Sequence, residues 1–129
     1  MPALFLLFNH RFTAAQKVAA REQLGVERIS VLPAELQPIW GQIPPDLPEL
    51  ANCLEPVRSW LAGQATPGDY VLIQGDFGAT YLMVRFALEH GLIPVYATTS
   101  RQALEEHLPD GTVKLLHYFQ HQMFRRYGG

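Results

Sequence analysis

The chain has 129 residues, 48% of them apolar, and a net charge of −2 from ten basic and twelve acidic side chains. This is the size of one compact domain with a real core, and it leaves no room for a second catalytic lobe, so a two-lobed site would need another chain. The charge balance excludes a protein that coats long nucleic acid, and the apolar content excludes disorder.

The single cysteine, Cys53, excludes an internal disulfide and a cysteine-based zinc site. The run Leu4–Phe8 is too short to span a membrane and has no Lys or Arg ahead of it. It reads as a strand rather than a signal peptide, and a cytoplasmic location is expected.

Ala3–Phe8 is continuously apolar and short, the pattern of a strand buried on both faces. Asn9-His10-Arg11 breaks it. Thr13-Ala14-Ala15-Gln16 is a capping box that starts a helix, with Ala15, Val18, Ala19 and Glu22 on one face and Gly25 as its stop. Val26–Leu32 is a second strand, closed by Pro33. Five prolines between residues 33 and 48 permit only short helical turns around Trp40. A helix is predicted over Leu47–Leu61, with Leu47, Leu50, Leu54, Val57 and Leu61 in one stripe, kinked or split at Pro56 and ended by Gly63.

Tyr70–Gln74 is the third strand, and Gly75-Asp76-Phe77-Gly78 turns sharply after it. Ala79–His90 is helical, burying Leu82, Met83, Phe86 and Ala87, with Gly91 as the stop. Leu92–Ala97 is the fourth strand, with Pro94 near its start or on an exposed edge. Thr98-Thr99-Ser100-Arg101 leads into a short helix through a second capping box, Thr99 with Gln102. Pro109-Asp110-Gly111 is a turn, and Thr112–Arg126 is a long final strand. The β-α alternation predicts an α/β fold, a mostly parallel sheet flanked by helices.

In open α/β sheets, ligands bind beyond the carboxyl ends of the strands. Three loops fall there: Asn9–Arg11, Gly75–Gly78 and Thr98–Arg101. Each leads into a predicted helix N-terminus, where free N–H groups favour anions. Residues 111–129 carry Lys114, Arg125 and Arg126 and no acid, which adds to an anion-binding reading. Gly75–Gly78 alone reads more readily as a tight turn in which Asp76 caps the helix. It is neither a dinucleotide fingerprint nor a kinase magnesium motif.

His10 sits where a general base or phosphate donor belongs, with Arg11 beside it. His117, Phe119, His121 and Arg125 share one face of the last strand if that strand is regular. His117 and His121 lie about 13 Å apart on an extended strand, too far to chelate, so no metal site is expected. His90 and His107 read as caps at helix ends. Trp40 and Trp60 read as core or interface anchors.

Leu72-Ile73-Gln74-Gly75-Asp76-Phe77-Gly78-Ala79-Thr80-Tyr81, followed by Gly91-Leu92-Ile93-Pro94-Val95-Tyr96-Ala97-Thr98-Thr99, resembles a small ancillary (Csx-type) family of type III CRISPR systems. Leu4–Phe8 with Asn9-His10, Leu32-Pro33-Ala34-Glu35-Leu36-Gln37, Trp40, Ile43-Pro44-Pro45, His117-x-Phe119-x-His121 and Phe124-Arg125-Arg126-Tyr127 extend the likeness. Asn9 stands where that family's Ser-His turn has Ser.

The resemblance implies a single Rossmann-like (CARF-like) domain over residues 1–129. It implies a homodimer that binds cyclic oligoadenylate, and ring-nuclease activity by metal-independent 2′-hydroxyl attack, with no cofactor. On that reading His10 and Arg11 are catalytic. Asn9, Gln74, the backbone of Gly75, Asp76, Phe77 and Gly78, and Thr80, Thr98, Thr99, Arg101, His121 and Arg125 bind the ligand. Phe77 either stacks on adenine or is buried under the helix, the two readings being equally open here. Three other readings remain open here: a non-catalytic messenger sponge or sensor, another nucleotide-binding protein, and an interaction partner using residues 33–48.

Overall fold

The computed structural model describes residues 1–129. In chain order the elements are β1 (Ala3–Leu7), α1 (Ala14–Ala19) running into a π-helical turn (Ala20–Leu24), β2 (Arg28–Val31), α2 (Gln37–Gly41), α3 (Glu55–Gln64), β3 (Tyr70–Ile73), α4 (Phe77–Glu89), β4 (Ile93–His107) and β5 (Val113–Arg126). They form one five-stranded sheet of order β2-β1-β3-β4-β5. Every pairing is parallel except β4 with β5, which is antiparallel. The protein is therefore α/β, with a mostly parallel but mixed sheet flanked by helices. No helix is long and apolar enough to cross a membrane.

The apolar run of β1 makes it a central strand. All five of its residues are buried. Ala3, Phe5 and Leu7 face one cluster with Val71 and Ile73 of β3, Leu54, Val57 and Leu61 around α3, and Ala79, Met83 and Ala87 of α4. Leu4 and Leu6 face the other, with Leu72, Val95, Phe124 and Ala20. A strand of alternating polarity could not fill both faces. Asp69 fixes the start of β1: its carboxylate accepts from Ala3 N (2.9 Å) and Thr66 N (2.9 Å).

Several expectations change. Pro56 stands in the first turn of α3 rather than inside a longer helix, so residues 47–54 are turns and bends and Leu47 is exposed. Proline lacks the N–H that a helix interior needs, and the first turn is where that absence costs nothing. On α1 the inward residues are Gln16 and Ala20, not Ala15, Val18 and Glu22. The capping box explains it: Gln16 Oε1 accepts from Thr13 N and is held toward the sheet. Phe86 and Leu82 are half-buried. Pro94 is buried, as the second residue of β4.

The largest correction concerns residues 98–107. No helix follows β4. The strand continues to His107, and the Thr99–Gln102 capping box does not form. His107 consequently ends a strand, not a helix. A long partner, β5, ladders the whole segment from Val95↔Arg126 to His107↔Val113. That continuous ladder, with β-branched Thr98 and Thr99 suited to it, overrides the local capping signal. The turn is fixed by Asp110, whose Oδ1 accepts from Thr112 N (2.9 Å), and by Gly111 at φ +85°. The hairpin runs on past the end of β3 as an arm that leaves the carboxyl edge of the sheet.

Candidate functional site

The strand order places β1 beside β2 on one side and β3 on the other. Chain crossovers therefore diverge between β1 and β3, the place where open α/β sheets form a crevice at their carboxyl edge. A cleft of about 820 Å³ opens there on the α1 side. Its walls come from Phe8, His10 and Arg11 after β1, Thr13, Ala15 and Gln16 at the start of α1, Gln74 after β3, Ala97 and Thr99 on β4, and Phe119, Gln120 and His121 on β5.

Of the residues singled out in the sequence, the cleft brings together His10, Arg11, Gln74, Thr99 and His121. None of its lining residues is acidic. Arg11 forms no ion pair within the chain. Gln74 is fixed on three sides. Its N–H donates to Leu7 O (3.1 Å), its carbonyl accepts from Trp40 Nε1 (3.0 Å), and its side-chain Oε1 accepts from Ala97 N (2.8 Å). The side-chain amide N–H₂ is left free to donate into the cleft.

His121 packs against Phe124 at 4.7 Å between ring centroids. Both its ring nitrogens are out of water and without a partner. Burial pushes its pKa below the ordinary histidine value, so the imidazole is neutral at neutral pH. A buried polar side chain without partners is rare in a finished core and is what a ligand would satisfy.

The structure places the remaining candidates elsewhere. Asn9 lines an adjoining hollow of about 440 Å³ with Gln37 and Trp40. Gly75 lies under the Trp40 indole, where a Cβ would come within 3.0 Å of Nε1. Asp76 is the N-cap of α4, its Oδ2 accepting from Ala79 N (3.0 Å). Phe77 is 95% exposed. Gly78 lies against Leu50, and Thr80 Oγ1 is buried without a partner. These residues line neither wall of the cleft.

Thr98 exchanges hydrogen bonds with the Met123 backbone, and Arg101 reaches His117 Nδ1 (3.1 Å) on the arm. Arg125 does not share a face with His121. A bulge between Thr98 and Thr99 pairs Thr98 with Met123 and Thr99 with His121, leaving Gln122 unpaired. That inserted residue reverses the alternation, and Arg125 meets Tyr96 instead, Nη1 to Oη at 3.0 Å. The last strand is therefore not regular.

Sequence reasoning did not single out Thr13, Gln16 or Gln120 as lining residues, and it put Phe119 on the His121 face, as found, without assigning it to the site. Thr13 and Gln16 carried a signal, the capping box, but it announces a helix start and not what that start faces. No three His, Cys, Asp or Glu side chains are grouped to hold a metal.

What these features define is an α/β protein with a donor-lined, acid-free cleft at the carboxyl edge of its sheet. The chain belongs to the family described as the uncharacterized protein MJ1673 family, which it matches over residues 2–125. It is 48% identical over 127 residues to the uncharacterized protein MJ1673 of Methanocaldococcus jannaschii, covering 98% of both chains. No solved structure matches it.

Proposed function

We propose that the protein is a metal-independent ring nuclease of type III CRISPR signalling in the cytoplasm. It would bind cyclic oligoadenylate, cyclic tetra-adenylate foremost, on a Rossmann-like (CARF-like) domain that works as a homodimer. The observation that carries this reading is the cleft at the β1/β3 crevice, where His10, Arg11, Gln74, Thr99 and His121 converge with no carboxylate among the lining residues. The sequence resemblance supplies the ligand class. A ring with two-fold symmetry suits two copies of one cleft, each too small alone for four nucleotides.

In the reaction a ribose 2′-oxygen attacks the adjacent phosphorus and the 5′-oxygen leaves. One strand end becomes a 2′,3′-cyclic phosphate and the other a 5′-hydroxyl. A proton leaves the 2′-hydroxyl and one is delivered to the 5′-oxygen. His10 is the cleft's group for that proton traffic, and His121, whose ring nitrogens are out of water, joins it only if its ring turns toward the cleft. Arg11 and the free amide of Gln74 hold the phosphate oxygens as charge builds on them. Fixing the attack in line supplies up to about 7–11 kcal/mol of the barrier reduction.

The test is to incubate the protein with cyclic tri-, tetra- and hexa-adenylate in EDTA and resolve the products. Linear products with cyclic phosphate ends are expected. His10→Ala should slow single-turnover opening by about 10²–10⁴-fold. Tight binding with no product would make the protein a sponge, and absence of binding would overturn the ligand class as well.

A further inference from the structure

Five of the seven phenylalanines set their ring against another aromatic side chain: Phe5 against Trp60, Phe8 against His10, Phe12 against Phe124, and Phe86 against His90. Phe77 and Phe119 have no such partner. Phe77 lines no wall of the cleft, whereas Phe119 is one of its lining residues. Phe119 is also 70% exposed. A large apolar ring left in water in the wall of a donor-lined cleft is the kind of exposure that calls for a reason.

The arm decides what surrounds that ring. Phe119 on β5 is the direct cross-strand partner of Arg101 on β4, two rungs beyond Thr99↔His121 and therefore on the same face as that part of the cleft wall. The Arg101 guanidinium lies over the ring, 5.9 Å from its centroid. Such a pair supports the ribbon. A ring has two faces, however, and one guanidinium covers one of them at most. Arg101 donates to His117 Nδ1 from Nε (3.3 Å) and Nη2 (3.1 Å) and makes no ion pair. Its charge is uncompensated, and further N–H groups remain to donate. Farther out on the same face stands Glu105, 3.7 Å from His107, whose carboxylate would repel a phosphate.

A single-stranded nucleotide chain presents a flat base and then a phosphate. Proteins that hold such chains meet the first with an aromatic ring and the second with a cation. We propose that the Arg101–Phe119 rung is a base-stacking subsite of the cleft. The open face of Phe119 takes the base of the nucleotide next to the scissile bond, and Arg101 holds the phosphate beyond it. Arg11 in the wall then has the reacting phosphate and Arg101 the following one. The contact stops short of Glu105, so the tip of the arm takes no part. The subsite supplies affinity and not base identity, since every base offers a π-face. The inference rests on the proposed function for the phosphate in the cleft and extends that site outward onto the arm.

The experiment measures equilibrium binding in EDTA with two probes. One is a cyclic tetra-adenylate whose 2′-hydroxyls are replaced by hydrogen, which 2′-attack cannot open; the other is linear tetra-adenylate. Phe119→Leu should weaken binding of both by about 5- to 150-fold, the range for one lost stack. Phe119→Trp should keep the affinity, with a fall in tryptophan emission on binding beyond that of the wild type. Tyr118→Leu removes a half-exposed ring on the opposite face and should bind as the wild type does. Arg101→Gln should weaken binding and lower the slope of log affinity against log salt by about 0.7, one phosphate contact on a single strand, whereas Phe119→Leu should leave that slope unchanged. Undiminished binding by Phe119→Leu overturns the proposal, as does an equal loss in Tyr118→Leu or an unchanged salt slope in Arg101→Gln. If the wild type opens cyclic tetra-adenylate while Phe119→Leu binds undiminished, the subsite falls and the ring-nuclease reading survives. If no ring binds but the linear strand does, with the loss in Phe119→Leu, the subsite stands and the ring-nuclease reading falls. Binding of neither probe overturns both.

Discussion

β1 and the arm are both built of strand, and they sit at opposite extremes of burial. Every side chain of β1 is buried between two helical layers, whereas nearly every side chain of residues 99–120 is exposed. The first is held by neighbours on both edges and both faces. The second is held by one ladder. Burial of that kind concentrates stability in the β1–β3 centre, and it leaves the arm free to meet something other than its own chain.

The strongest test of this contrast is Phe5→Ala. Phe5 is fully buried and meets Trp60 edge-on at 5.7 Å, so about 3–5 kcal/mol of stability should be lost in urea unfolding. A loss below 1 kcal/mol would mean that the centre is not where the energy lies. Gly75→Ala comes next. The added Cβ must displace the Trp40 indole and strain its bond to Gln74 O, at a cost of about 1–3 kcal/mol, with a change in tryptophan emission that follows the displaced ring.

Asp69 sharpens the picture at the other end of β1. Burial works to raise its pKa. Hydrogen bonds from Thr66 and Ala3, helped by Arg28, more than offset that and hold the carboxyl below its usual value. The unfolded chain therefore takes up this proton first as pH falls. The contribution of Asp69 is complete above the ordinary aspartate range and disappears as pH drops through the lower folded value. Asp69→Ala should cost about 1–2 kcal/mol at pH 7, and less against wild type under acid conditions where the carboxyl is protonated in both states. A cost that does not change with pH would remove the carboxylate from the account.

The smallest effect belongs to the arm: Leu104→Ala should change unfolding stability by less than about 0.5 kcal/mol. A core-sized loss there would place the arm within the same cooperative unit as β1.

The same contrast separates what the sequence disclosed from what it did not. The central strands, α4 and the Asp76 cap were legible because continuous apolar runs and capping residues act locally. Residues 98–107 were not. Thr99 and Gln102 have the local chemistry of a helix start, and only a strand some twenty residues further on decides otherwise. The cleft was half legible. His10 and Gln74 follow from strand ends, but Gln16 depends on how α1 is turned. The Gly75–Gly78 loop looked like the centre of a site, whereas Trp40, read from the sequence as a core or interface anchor within a proline-rich stretch, occupies the space beside it.

Gln122 adds one residue to β5 without lengthening the ladder. It works as a change of phase. On its C-terminal side the odd-numbered positions Met123 and Arg125 accompany Tyr96 and Thr98. On its N-terminal side His121, Phe119 and His117 accompany Thr99, Arg101 and Ala103. Loss of that single position, with every other letter unchanged, would present a different set of side chains to the cleft and to the inner face of the arm. In this protein a one-residue gap in an alignment outweighs several substitutions.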